Sequence, residues 1–385
     1  MAAAGACVVS LDSTVNVAFP AMAADFAIPP ERVRWVIVCY VLVYALMAFV
    51  AGALADRLGH ARVFQAGLAV SALAFGLAGV APTFEWLLAA RALQGIGVGA
   101  VYGTAPGLVT LASPPEARGR ALGLLNAGMG IGLTLGPAAA GVLVAALGWR
   151  SIFTLRVPLA LATLAWALAG RPPARAAGVP RLVAARDFRR PPVLRAGALA
   201  FLANGSIFVI WTLAPFYLVH VRGLDEAAAG VVFMLTPLGT AVGAPVAGVL
   251  SDRIGTRWPV VAGLGLEALG LGALHLAGAG TPLPAVALAL FATGLGLGVF
   301  QVPNMATVMA AFPATQQGAA GGFTFLARTL GVVVGVLGLS ELFAHRRVAV
   351  GLEVAFTEAV LAAALVVGAA AVAAVAGGRR GAPAR

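Results

Sequence analysis

The chain has 385 residues, 61% of them apolar and 10% charged, with a net charge of +11 and a mean hydropathy of +0.98. Soluble domains are about half apolar and about a quarter charged, so a soluble globular enzyme, a disordered chain and a disulfide scaffold are excluded. At about 20 apolar residues per crossing, the composition supports about ten to twelve membrane-spanning helices. All 25 basic residues are Arg, and Lys is absent. This bias goes with the Ala and Gly richness of a GC-rich genome. The Arg residues lie between apolar runs, which fits membrane orientation and not a nucleic-acid face. Cys7 and Cys39 lie in apolar stretches without ligand spacing and read as small core residues.

In chain order, apolar segments fall near 2–22, 34–55, 63–82, 85–111, 119–147 and 151–170, then near 196–219, 227–250, 258–279, 284–311, 318–343 and 353–376. The first has no basic leader and is interrupted by Asp12, so it reads as a spanning helix and not a cleaved signal. Between the two sets lies a stretch rich in Arg and Pro, which predicts a solvated loop. The expected organisation is an N-terminal six-helix bundle over 1–170, a cytoplasmic linker over 171–195, and a C-terminal six-helix bundle over 196–385.

Charge orients the segments. With both termini and the linker inside, sixteen Arg fall on inner loops and seven on outer loops and helix ends, the latter being Arg32, Arg34, Arg150, Arg156, Arg222, Arg346 and Arg347. That asymmetry is the positive-inside pattern of a multi-pass protein of the cell inner membrane. The loop at Arg346–Arg347 runs against it. The remaining two, Arg91 and Arg328, fall inside predicted spans.

An internal repeat divides the chain. Gly52-Ala-Leu-Ala-Asp56-Arg57-Leu-Gly59 returns as Gly248-Val-Leu-Ser-Asp252-Arg253-Ile-Gly255, each at the inner end of the second span of its half. Parallel repeats of this kind occur in transporters. The first copy continues through Arg62.

These two loops resemble the signature of the major facilitator superfamily. Leu11-Asp12-Ser13-Thr14-Val15-Asn16-Val17-Ala18-Phe19-Pro20 resembles the first-helix motif of its fourteen-span drug:proton antiporters, although twelve spans are expected here. Arg91-Ala-Leu-Gln94-Gly95-Ile-Gly97 resembles the fourth-helix motif. The spacing of Gly123, Gly132, Gly136-Pro137 and Ala140-Gly141 resembles the fifth-helix antiporter motif, departing only at Ala140. The resemblance implies an all-α integral membrane protein, twelve transmembrane helices in two pseudo-symmetric six-helix bundles. It also implies a proton-coupled secondary transporter that exports small hydrophobic or cationic compounds, a multidrug-type efflux protein working by alternating access.

Each motif has a physical reading. Asp12 lies about 16 Å along the first span, near the bilayer midplane, and Arg91 about 10 Å into the fourth from the opposite face. An unpaired charge at such depth costs roughly 3 to 10 or more kcal/mol. The two read as a proton-coupling pair, or as a static ion pair that fixes helix packing. The resemblance favours coupling. It also implies conformational roles for Gly52, Asp56, Arg57, Gly59, Arg62, Asp252 and Arg253, with Asp56 against the start of the eleventh span near Thr315 to Gly318. Gly128, Gly132 and Gly136 form a flat stripe for close helix approach, and Pro137 permits a bend. Gly141 completes that motif.

Cavity residues implied by the family pattern are Asn16, Gln94, Asn204, Ser206, Trp211, Thr212, Gln301 and Asn304. Few polar groups among aromatic and aliphatic ones suit a lipophilic substrate. Each is equally readable as helix–helix hydrogen bonding. Glu267 in the ninth span is a second proton site or a carboxyl bonded to a neighbour, and Arg328 in the eleventh has no partner visible in sequence. Four scattered His show no metal spacing. The expected partners are a small-molecule substrate, protons and the lipid bilayer, with no nucleic acid, no metal and no cofactor, for a chain acting as a monomer. Rival readings are a dedicated exporter of one metabolite or natural product, a membrane-embedded enzyme, and a non-transporting sensor. The enzyme lacks a clustered set of catalytic side chains.

Overall fold

A computed structural model describes residues 1–28, 30–33, 35–170 and 185–376. The side-chain surroundings of Asn16, Pro137 and Gly141, and most of the expected linker, lie outside the described residues. Among the described residues there are helices and no strands.

The first pass runs through α1 (Ala2–Ser10), an eight-residue 3-10 stretch (Leu11–Ala18) and α2 (Phe19–Asp25). The break coincides with Asp12, Ser13, Thr14 and Asn16, short polar side chains that compete for backbone hydrogen bonds and weaken an α-helix. Pro20 then sits in the first turn of α2, where a missing N–H is tolerated. After the short α3 (Pro30–Val33), the N-terminal series continues as α4 (Trp35–Leu58), α5 (His60–Gly79), α6 (Phe84–Leu111), α7 (Arg118–Leu147), α8 (Ser151–Thr154) and α9 (Arg156–Ala169). The short α10 (Ala185–Phe188) precedes α11 (Pro191–Phe216), α12 (Glu226–Phe233), α13 (Leu235–Ile254), α14 (Arg257–His275), α15 (Leu283–Ala310), α16 (Gln317–Val350) and α17 (Leu352–Ala376).

Counting the broken first pass and the pairs α8–α9 and α12–α13 as one each, the described residues make twelve passes, close to the expected boundaries. Nine of these are long and apolar enough by themselves to cross a membrane. Two boundaries differ from expectation. The seventh pass starts at Pro191 and not near 196, because Pro191 and Pro192 occupy the helix start, where proline is favoured. The eleventh pass, α16, runs to Val350, so Arg346 and Arg347 lie on its last turns and not in a loop.

Within the passes the usual polarity of a helix is reversed. Leu42, Leu46, Val50, Leu54 and Leu58 of α4 recur at four-residue spacing and are exposed, while Ala45, Ala48, Gly52 and Ala55 are buried. Lipid solvates the branched side chains, and small residues let neighbouring backbones close up. On α6, a Cβ at Gly95 would lie 2.9 Å from Tyr40 O, and one at Gly103 would collide with Ala48 O. These glycines bring α6 against α4.

The described chain gathers into two compact units. One comprises Met1–Pro115, Gly128–Phe188 and Met309–Leu326, and the other comprises Glu116–Ala127, Arg189–Val308 and Ala327–Arg385. The units are not contiguous halves: the start of α16 belongs to the first, and the start of α7 to the second. The first unit packs around Met22, Val36, Phe75, Leu87 and Phe153, and the second around Ile210, Leu264, Leu271, Phe300 and Phe356.

Candidate functional site

Asp12 projects from the 3-10 stretch of the first pass. That pass is seated on the glycine stripe of α7: a Cβ at Gly128 would lie 2.6 Å from Ala3 O, and Cβ atoms at Gly132 and Gly136 would collide with Cys7 O and Ser13 Oγ. Close backbone approach on that side sets the depth of the Asp12 side chain, whose partners come from α6 and α9.

Arg91 of α6 grips Asp12 with two parallel hydrogen bonds, Nη1 to Oδ1 at 2.6 Å and Nη2 to Oδ2 at 2.7 Å. This bidentate fork is the strongest geometry available to the pair. Gln94, one turn further along α6, donates Nε2 to Asp12 Oδ1 at 2.8 Å and accepts from Arg91 Nη1 at 2.7 Å. Arg91 Nε is satisfied by Val36 O at 2.9 Å, and its guanidinium lies 4.2 Å from the Tyr40 ring centre. Arg91 is fully buried, whereas Asp12 keeps 13% exposure.

A second cation completes the cluster. Arg156, at the start of α9, donates Nη1 to Asp12 Oδ1 at 3.0 Å and Nη2 to Val9 O at 3.3 Å, with its guanidinium 4.1 Å from the Phe75 ring centre. It is 3% exposed, so this helix-end arginine is a buried partner of Asp12 and not a solvated loop charge. The apolar run beginning at Arg156 was the available signal. Its partner lies 144 residues away, which no local spacing reveals.

The repeated loops make a second type of contact. At the end of each copy the glycine takes a left-handed backbone, Gly59 with φ 98° and Gly255 with φ 79°, which explains why glycine closes both motifs. Asp56 accepts from Gly318 N at 2.7 Å and Ala319 N at 3.0 Å, the first turn of α16. In the other unit, Asp252 accepts from Gly119 N at 2.8 Å and Arg120 N at 2.9 Å, the first turn of α7. Both carboxylates satisfy free amides at the positive end of a helix dipole. Gly52 belongs to the first contact, since a Cβ there would collide with Gly318 O. Arg57, Arg62 and Arg253 are exposed.

The remaining cavity candidates lie in the second unit. Asn204 accepts at Oδ1 from Gln301 Nε2 at 3.2 Å, and its own amide donates to Ala200 O at 2.8 Å. Asn304 donates to Ala196 O at 2.9 Å. Ser206 is buried, and Thr212 donates to Phe208 O. Trp211 is partly buried, stacked on Phe208 and edge-on to Phe233. Gln94 belongs to the Asp12 cluster. Glu267 is fully buried, and neither of its carboxylate oxygens has a hydrogen-bond partner, so the expected bond to a neighbour is not made. Arg328 is partly buried in α16 and is not without a partner. Among the described residues no group of His, Cys, Asp or Glu is arranged to hold a metal.

The family model described as Major Facilitator Superfamily matches residues 1–336. The chain belongs to that superfamily. Among its relatives, the riboflavin transporter RibZ of Clostridioides difficile is 25% identical, with 86% of this chain and 84% of the relative covered. The tetracenomycin C resistance and export protein of Streptomyces glaucescens is 28% identical, with 89% and 75% covered. The crystal structure of the human organic anion transporter MFSD10 (TETRAN) matches with a TM-score of 0.74 at 18% identity, covering 95% of this chain and 98% of that one. The all-α major facilitator fold expected from the motifs holds. As a superfamily member, the chain is a multi-pass membrane transporter of small molecules.

Proposed function

We propose that this superfamily member is a proton-driven exporter of small, mostly hydrophobic compounds across the cell inner membrane, working by alternating access between two six-helix halves with both termini inside. One observation carries the coupling: a carboxylate in the middle of the first pass held between Arg91 and Arg156. A packing-only ion pair needs one cation. Here a single acid organises two guanidiniums and one amide from two other passes, so its charge state controls more than its own position. Proton uptake by Asp12 removes the charge that both arginines bind. The first pass, broken into a 3-10 stretch at this residue, is then released from α6 and α9 and can shift. Proton loss to the inside resets the cluster.

The energy scale is adequate. One charge crossing 100 mV releases about 2.3 kcal/mol, enough for a roughly fifty-fold substrate gradient. The paired contacts at Asp56 and Asp252 are made together and hold one and the same conformation, and Gly52, Gly59, Arg57, Arg62 and Arg253 shape those turns. The export direction is supported by the first-helix and fifth-helix motifs and by the tetracenomycin C relative. The riboflavin and tetracenomycin C relatives are each named for one compound, which keeps a dedicated exporter as the second reading.

The test is efflux from proteoliposomes under an imposed pH gradient, using a panel of lipophilic compounds. Asp12→Asn keeps the volume and most hydrogen bonds, so the protein is expected to fold and to lose proton-driven efflux. Unimpaired, uncoupler-sensitive efflux by that variant overturns the coupling role. Accumulation along the proton flow would make the protein a symporter.

A further inference from the structure

The last turn of α17 ends in carbonyls that no N–H of the same helix can reach, and two arginines from other passes supply the donors. Arg195 of α11 donates Nη2 to Ala373 O at 3.0 Å and also to Ala374 O. Arg257, the first residue of α14, donates Nη2 to Val375 O at 3.3 Å. The two guanidiniums therefore share one helix end. Each bond uses Nη2, so Nη1 and Nε of both arginines are without a hydrogen-bond partner among the described residues.

Charge in this region has one sign. In the second unit, residues 189–200, 250–262 and 368–376 carry Arg189, Arg190, Arg195, Arg253 and Arg257 against one acid, Asp252, which is taken up by the amides of Gly119 and Arg120. The negative end of a helix dipole amounts to about half a charge, so the end of α17 does not balance two guanidiniums. The surface beside them is apolar. Leu194 precedes Arg195, Val372 precedes Ala373, and Trp258 follows Arg257, whose guanidinium lies 5.2 Å from the indole ring centre. All three apolar side chains are exposed. On membrane helices such residues face lipid, and Trp at the end of a span marks the boundary between bilayer and water.

We propose that Arg195, Arg257 and Trp258 form a binding site for an anionic phospholipid of the leaflet at this end of the spans. Its phosphate takes the spare donors of the two arginines, and its acyl chains lie on the apolar surface that begins at Leu194 and Val372. Arginine suits this role because its forked donors match phosphate oxygens. A choline or ethanolamine headgroup brings its own cation and cancels the attraction, whereas a glycerol headgroup leaves the phosphate charge uncompensated. A soluble phosphate ester gains the charge contact without the apolar one. Occupied, the site ties the starts of α11 and α14 to the end of α17. The inference stands apart from the export reading, because lipid binding is measured without transport.

The experiment is native mass spectrometry of the delipidated full-length protein in neutral detergent, titrated with dioleoylphosphatidylglycerol or dioleoylphosphatidylcholine. Wild type is expected to bind its first phosphatidylglycerol about ten-fold or more tighter than phosphatidylcholine. Arg195→Gln and Arg257→Gln together are expected to remove that preference. Arg347→Gln, which changes an exposed arginine at the opposite end of the spans, keeps it. Trp258→Ala lowers the affinity for both lipids, and an equal concentration of glycerol phosphate leaves the lipid bound. The inference is overturned by equal binding of the two lipids, by an unchanged preference in the folded double variant, or by unchanged binding in Trp258→Ala. Displacement by glycerol phosphate also overturns it, since the site would then be one for a soluble anion. Should the double variant not fold, the wild-type ratio, Trp258→Ala and the glycerol phosphate competition decide. Selective lipid binding without proton-driven efflux sinks the export reading alone, and efflux without lipid preference sinks the lipid site alone.

Discussion

Arg91 and Arg156 bind the same carboxylate but differ in what each would leave behind. Arg91 makes both forked bonds to Asp12 and also ties the cluster to Val36 O and Gln94, whereas Arg156 contributes one bond to Asp12 and leaves Nε without a protein partner. Removing one member of a buried pair costs about 3–5 kcal/mol. Arg91→Leu is expected to show that full loss in detergent unfolding, and Arg156→Leu clearly less, because Asp12 then keeps its bidentate partner. An equal loss for the two would mean that the forked geometry is not what holds the cluster. Glu267 presents the opposite case. Its carboxyl is fully buried in α14 with neither oxygen hydrogen-bonded, and buried polar groups without partners cost free energy. Glu267→Leu is therefore expected to raise stability by about 1 kcal/mol or more. A destabilised variant would reveal a partner bound in another conformation. Asp12 and Arg91 were legible in sequence because charges inside apolar runs stand out. Arg156 stood out as a charge near the outer surface, but nothing in the sequence around it names Asp12, 144 residues away, as its partner.

At the level of elements, glycine and aspartate work together at the helix ends. Gly52 of α4 and Gly318 of α16 pack backbone to backbone, which puts the first amides of α16 within reach of Asp56, one turn beyond Gly52. The counterpart places Gly248 of α13 against Gly119 O while Asp252 binds the first amides of α7. The repeated Gly-x-x-x-Asp spacing is thus one device: the glycine allows approach, and the carboxylate four residues later caps the helix that approaches. Gly52→Val is expected to insert into the membrane normally and to lose most transport, because its side chain meets a backbone carbonyl that cannot rotate away. Full transport by Gly52→Val, measured in the same proteoliposome assay, would show that this contact never forms during the cycle. The repeat itself was visible in the sequence. The binding of Asp56 near Gly318 came from the family resemblance, and the matching partnership of Asp252 with Gly119 and Arg120 appeared only with the structure, since the spacing holds no trace of which helix start each aspartate meets.

For the whole molecule, the structure bears on the arginines that ran against the positive-inside count. Arg346 forms a 2.6 Å bidentate pair with Glu358, Arg150 pairs with Asp25, Arg156 with Asp12, and Arg222 donates to the carbonyls of Gly278, Ala279 and Thr281. Arginines with such local partners report on packing more than on membrane orientation. With these four set aside, sixteen inner arginines stand against three outer ones, which supports the proposed orientation with termini inside. Single cysteines introduced in turn at Arg120 and Arg150, in a protein with Cys7 and Cys39 replaced by Ala, test this. A membrane-impermeant maleimide applied to intact cells is expected to label position 150 and to leave position 120 unlabelled until the cells are opened. The reverse pattern would invert the topology.

By itself the amino-acid sequence determined that this is a membrane protein of twelve helical passes, where most passes begin and end, and which superfamily motifs it carries. Those features depend on local composition: apolar length against bilayer thickness, proline and glycine at helix ends, and charge at the loops. Only the tertiary structure decided that Asp12 answers to two arginines and not one, and that α7 and α16 each contribute their first turn to the opposite compact unit. The physical reason is range. Hydrogen bonds and ring stacking form within a few ångströms in space between residues more than a hundred positions apart, and nothing in the local pattern of a span names its distant partner.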